Sequence, residues 1–114
     1  MKYTQEQRDK LEFRLEKDFQ KYVVKILRGV KGLCLFNIHG DRYNVGIPDL
    51  LGCYDGKFFA IELKVKNNKP TELQKVRLQE IETVGGVQGV AYNWGEVNEF
   101  KNLLSATDIF GLIE

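Results

Sequence analysis

The dipeptide Asp55-Gly56, set between two apolar runs, constrains the fold of this chain more than any other feature. Asp-Gly readily takes the positive-φ conformations that a two-residue hairpin demands. Asp49 to Tyr54 and Lys57 to Val65 are therefore predicted to be neighbouring antiparallel strands. The second of them contains Phe58-Phe59-Ala60-Ile61, an unbroken apolar stretch that reads as a buried strand and then runs directly into Glu62 and Lys64. Side chains alternate along a strand, so Glu62 and Lys64 share one face while Ile61 and Leu63 take the other.

The rest of the chain organises around this hairpin. Thr4 can cap a helix with an apolar stripe at Leu11, Leu15, Phe19, Tyr22 and Ile26, ended by Gly29 and Gly32. A short strand is predicted from Leu33 to Ile38, then a polar loop from His39 to Gly46. Asn67, Asn68 and Pro70 break the chain after the hairpin. Thr71 then starts a second helix to about Val84, with Leu73, Val76, Leu78 and Ile81 on one face and Gly85-Gly86 as its stop. A fourth strand spans Val87 to Tyr92 and a short helix Glu96 to Leu104. The expected order, α-β-β-β-α-β-α, describes one α/β domain over residues 1–114, a mixed central sheet flanked by helices. No repeat or low-complexity segment interrupts it.

Composition excludes little but places the charge. Net charge is +1, yet residues 1–28 hold eight basic and five acidic side chains, residues 57–77 six and two, and residues 78–114 one and six. Such polarity allows a polyanion on one face. The polar start of the chain and the lack of a long apolar run predict a cytoplasmic protein without signal peptide or membrane span. Cys34 and Cys53 lie in strand-like apolar stretches and read as a reduced, buried pair, with no zinc-binding pattern around them.

Chemistry concentrates in Gly46-Ile47-Pro48-Asp49-Leu50 and Ala60-Ile61-Glu62-Leu63-Lys64. The hairpin brings Asp49 towards Glu62, and Lys64 shares the face of Glu62. Two carboxylates make the hard oxygen site that Mg2+ prefers, and a bound ion can polarise a phosphoryl oxygen and acidify a water. A lysine alongside offers positive charge where a phosphodiester transition state becomes negative. The same residue types also make cross-strand salt bridges on solvated sheet faces. Against that reading, charges at the end of an apolar strand require partners or a metal.

Together with Thr71-Glu72-Leu73-Gln74, these motifs resemble the PD-(D/E)XK nuclease superfamily, and within it the stand-alone phage and bacterial type of the VRR-NUC group, over about Leu15 to Tyr92. The resemblance implies a restriction-endonuclease-like fold and a DNA endonuclease using Mg2+ or Mn2+ on structured or branched DNA, including Holliday junctions. It also implies that Asp49 and Glu62 are metal ligands with the Leu63 carbonyl, that Lys64 is the catalytic lysine, and that Gln74 supports the site. The group's first-helix glutamate would be Glu16, with Glu12 one helical turn earlier as the alternative; either is equally an ordinary surface glutamate. Flaps, single strands or RNA remain alternative substrates, and a catalytically silent DNA-binding module is a further alternative.

Weaker candidates surround this set. His39, Arg42 and Tyr43 in the preceding loop could touch a phosphate or base, and Lys66, Lys69, Lys75 and Arg77 could bind phosphates. Trp94 reads as core or interface. A homodimer is expected because two cuts in opposed strands suit two sites about a two-fold axis, with the apolar Ile109-Phe110-Gly111-Leu112-Ile113 as one source of interface.

Overall fold

A computed structural model describes residues 4–37 and 45–113, with side chains described as far as residue 105. Its central sheet has four strands, β1 (Leu33–Asn37), β2 (Leu50–Tyr54), β3 (Lys57–Leu63) and β4 (Val87–Ala91), in that spatial order. β1–β2 and β2–β3 are antiparallel and β3–β4 is parallel, so the sheet is mixed. The β2–β3 turn is Asp55-Gly56, with φ of 50° and 80°, and it pairs Tyr54 with Lys57. Both residues have the positive φ of a tight hairpin turn.

The first predicted helix is two. α1 covers Gln5–Asp9 and is capped by a Thr4–Gln7 capping box; α2 covers Glu16–Leu27. A single helix would hold Leu11 and Leu15 on the stripe and carry Phe13 away from it. The break instead turns Phe13 inward to stack on Phe19 at 5.5 Å and tilt against Tyr22 at 5.3 Å, while Leu15 is left exposed. Burying an aromatic ring outweighs the few hydrogen bonds that continuity would add.

One sheet face carries the core. Leu50, Phe59, Ile61, Leu63 and Ala91 pack there against Phe19, Val23, Val24 and Leu27 of α2. α4 (Trp94–Ile113) adds Trp94, Val97 and Leu104. This last helix is longer at both ends than its sequence signals suggest. The Asn93 side chain accepts from the Glu96 N–H at 2.9 Å, and Glu96 accepts from the Tyr92 N–H at 2.7 Å, so Asn93 starts the helix. Beyond Gly95 in its first turn, no glycine or proline follows to stop it before Gly111.

The opposite face is only partly covered. α3 (Glu72–Thr83) crosses between β3 and β4 and lies over one end of it. The buried stripe of α3 is not the expected Leu73-Val76-Leu78-Ile81 row. Leu73 and Val76 are exposed, and Gln74, Leu78 and Ile81, spaced by four and three, turn inward. At the far end of the same face, Cys34 pairs in register with Cys53, and Cys53 with Phe58. Both cysteines are free thiols, as expected, but exposed rather than buried. The strand period put them on the face that no helix covers at that end.

Candidate metal and phosphodiester site

Asp49 arrives at the site on a rigid approach. Gly46 has φ of 82°, a conformation that L side chains rarely adopt, and an added Cβ there would lie 2.6 Å from the Leu73 side chain of α3. Pro48 is fully buried, which fixes the backbone before Asp49. One residue before Leu50, whose partner in β3 is Ile61, Asp49 stands opposite Glu62. Its Oδ2 accepts a hydrogen bond from the Leu63 N–H at 2.9 Å.

Glu62 is 1 % exposed, a carboxyl group buried between the sheet and α3. Gln74 explains how its position is held. In the capping box at the start of α3, Gln74 Oε1 accepts from the Thr71 N–H at 2.8 Å while the Gln74 N–H donates to Thr71 Oγ1 at 3.1 Å. With its carbonyl oxygen thus engaged, the Gln74 amide is oriented so that Nε2 donates to Glu62 Oε1 at 3.3 Å. A glutamate in this place would cap the helix equally well but would set a third carboxylate against Glu62.

Glu62 Oε2 is buried and no donor among the described residues reaches it; the Asp49 carboxylate beside it is another acceptor, so the two can bond only when one carries a proton. Burial, then the neighbouring Asp49 carboxylate through hydrogen bonding and charge, push the Glu62 carboxyl from 4.5 up to about 9, with Glu16 adding to the rise and Lys64 opposing it. The carboxyl is therefore neutral near pH 7 unless a cation joins it. Lys64, 8 % exposed, forms an ion pair with Glu16 at 3.5 Å, and its N–H donates to the Ala91 carbonyl at 3.0 Å.

The two helix-1 candidates are thereby separated. Glu16 opens α2 and reaches Lys64, whereas Glu12 sits in the break before α2, exposed and off the helix. Their expected common helix face disappears with the break. Leu63 enters the site through its N–H, which holds Asp49. Among the described residues, no group of three or more His, Cys, Asp or Glu side chains is already arranged around a metal position. The donors that are present nevertheless suit a hard cation: oxygen only, with one buried oxygen lacking a donor.

Other candidates disperse. Lys75 pairs with Glu72 at 3.2 Å and Arg77 with Glu80 at 2.8 Å along α3. Trp94 is core, edge-on to Tyr22. His39, Arg42 and Tyr43, and the side chains of residues 109–113, lie outside the described residues. Tyr92 was not singled out in the sequence, although it follows β4 where parallel strands β3 and β4 end side by side. That strand-end position is the signal for it, since ligands of α/β sheets gather beyond the carboxyl ends of parallel strands.

The fold and site together define an α/β protein with a four-stranded mixed sheet, flanked by helices and carrying a buried glutamate and lysine with a half-buried aspartate opposite the glutamate. No family model matches the chain, and no curated protein matches it. Among the described residues, no helix is long and apolar enough to cross a membrane.

Proposed function

We propose that this chain is a metal-dependent endonuclease of the PD-(D/E)XK superfamily, in its VRR-NUC group, with the restriction-endonuclease-like fold of that superfamily. The observation that carries the reading is the buried Glu62, held by Gln74 and facing Asp49, with an oxygen that no donor among the described residues reaches and that can meet the Asp49 carboxylate only by sharing a proton or a cation. A structural salt-bridge ladder would sit in solvent and pair its charges. Here a carboxyl group is buried at an electrostatic cost that a cation would relieve.

Asp49 and Glu62, with Glu16 and the Leu63 carbonyl, would hold Mg2+ or Mn2+. When bound, the ion supplies positive charge that polarises a phosphoryl oxygen and lowers the pKa of a water. The chain's own residues do the positioning. The Leu63 N–H fixes one Asp49 oxygen and Gln74 fixes one Glu62 oxygen, so the remaining oxygens are presented without rotamer search. Lys64 places an ammonium beside these carboxylates, and its pairing with Glu16 aligns it until phosphate competes for it. Its charge is set where the transition state becomes more anionic, and it can orient or deprotonate the attacking water.

The substrate in this reading is structured or branched DNA, as in a Holliday junction resolvase working as a homodimer in the cytoplasm. The exposed sheet face around Phe36 and Phe58 is where pairing of two copies would be sought. A cleavage assay with Mg2+ and Mn2+ on four-way, flap and linear DNAs tests the reading. Cutting that depends on metal and disappears in Glu62→Ala supports it; metal-independent cutting, or none on any substrate, refutes it.

A further inference from the structure

A groove leads away from the candidate site, and we infer that it holds one unpaired DNA strand, with phosphates on Arg14, Lys66 and Lys69 and a base against the ring of Tyr92. The inference rests on the nuclease reading and, among the branched substrates of that reading, favours flaps and other forms with a single-stranded segment beside the scissile phosphate over a fully paired four-way junction.

Two adjoining cavities, of about 690 and 560 Å³, share Lys66 and Tyr92 and form this groove. Its walls continue the elements that build the site. Lys66 lies two residues beyond Lys64, and Tyr92 follows Ala91, whose carbonyl accepts from the Lys64 N–H. Arg14 lies two residues before Glu16, the partner of Lys64. A strand whose phosphate sat at Lys64 would therefore have its next phosphates among these cations.

The lining is strongly basic. Among the described residues, Lys10, Arg14, Lys66 and Lys69 face a single carboxylate, Glu12. Lys10 also pairs with Glu6 at 3.0 Å, but both side chains are largely in water, and an exposed pair of this kind gives way readily to phosphate. Local structure sets Lys66 and Lys69 in place. Lys66 has φ of 55°, which turns the chain off β3, and the Asn68 N–H closes the turn onto the Val65 carbonyl at 3.1 Å. The Tyr92 hydroxyl then donates to the Asn68 carbonyl at 2.9 Å, tying the ring to the basic loop. An aromatic ring fixed among backbone-tracking cations is how proteins bind single strands irrespective of sequence. A rigid duplex keeps its bases stacked on each other and has no free face to offer the ring.

Binding measured by fluorescence anisotropy in EDTA, where no cleavage occurs, tests this with the full chain, a labelled eight-nucleotide oligothymidylate and a labelled duplex. Wild type should bind the oligothymidylate, and Tyr92→Ala should weaken that binding roughly tenfold. Tyr92→Phe, which keeps the ring, should bind within about twofold of wild type. Lys66→Ala with Lys69→Ala should lower the slope of log affinity against log salt by about 1.4, or about 0.7 for each phosphate no longer neutralised. Duplex affinity should be unaffected by Tyr92→Ala. Failure of wild type to bind the oligothymidylate, equal binding by Tyr92→Ala, or an unchanged salt slope overturns the groove assignment. Those results leave the nuclease reading standing if Glu62→Ala still abolishes metal-dependent cutting. Conversely, a chain that binds as described but never cuts keeps the groove and loses the nuclease.

Discussion

The α3 side of the sheet is chemically inverted from one end to the other. At the β3–β4 end, Glu62 is buried beneath α3, and Lys64, also buried, reaches Glu16 of α2. Elsewhere on the same face, Phe36 of β1 is 60 % exposed and Phe58 at the start of β3 47 %, beside two exposed cysteines. Charges inside and aromatics outside is the reverse of what stability alone selects. The core face one layer away follows the ordinary pattern throughout. The contrast shows that cover, rather than residue type, decides burial here. α3 reaches only one end of the face, and Gln74 is the side chain that makes its landing place polar. A protein can tolerate a buried carboxyl because Phe59, Ile61 and Leu63 on the same strand supply the packing.

The largest effect should come from the inverted end. Lys64→Ala should lower the cleavage rate by about two to three orders of magnitude, the usual loss on removing one preorganised electrostatic group. Glu62→Ala and Asp49→Ala should abolish cutting while leaving DNA binding in EDTA largely intact. Single-turnover cleavage with parallel anisotropy separates the two effects. Undiminished cutting by Lys64→Ala would mean its charge is structural only, and the contrast between the two ends would lose its functional meaning.

Adjacent phenylalanines offer the next measurement. Phe59, 1 % exposed, packs in the core and meets Phe100 edge-on at 6.2 Å. Phe59→Ala should cost roughly 3–5 kcal/mol in urea unfolding. Phe58→Ala, one residue away on the incompletely covered face, should cost well under half of that. Similar losses at both positions would show that the open end is covered in solution, and light scattering would then be expected to show a dimer.

A smaller effect concerns pH. The Glu62 carboxyl titrates at about 9 in the folded chain against an ordinary value of 4.5. The native state therefore keeps a proton that the unfolded chain has released, so metal-free stability falls as pH rises from about 4.5 to 9. Glu62→Gln, which stays neutral, should lose that dependence and melt about 4 °C or more above wild type at about pH 8, equivalent to about 1 kcal/mol. Mg2+ should bind wild type more weakly as pH falls, by up to about tenfold per unit, because the ion must displace the proton. Parallel melting curves for the two proteins across that range would remove Glu62 as the origin of any pH dependence.

Gly46→Ala should give the most local change. Its positive φ and the approach to Leu73 predict a loss of about 1–3 kcal/mol, with cleavage falling further than stability explains because Asp49 is displaced. A variant that loses stability but cuts at the wild-type rate would separate Asp49 placement from this turn.

Features settled within a few residues of chain were legible in the sequence alone. Asp55-Gly56 specified the hairpin, because few other dipeptides accept positive φ twice. Strand alternation specified that Glu62 and Lys64 share a face, and the hairpin register set Asp49 opposite Glu62. Thr71 and Gln74 specified the start of α3 through hydrogen bonds within four residues. The family resemblance supplied roles for these residues, and their placement is what the structure describes. Only the tertiary structure decided matters that depend on distant partners. It broke the first helix so that Phe13 could reach Phe19, and in doing so left Glu16 beside Lys64 and Glu12 in a different groove. It exposed Cys34 and Cys53 because α3 stops short of them, and it set Tyr92 against the loop after β3 through a parallel pairing separated by a whole crossover helix. Periodicity in a sequence records which side chains can share a face; which face is covered, and by what, is settled by packing between elements far apart in the chain.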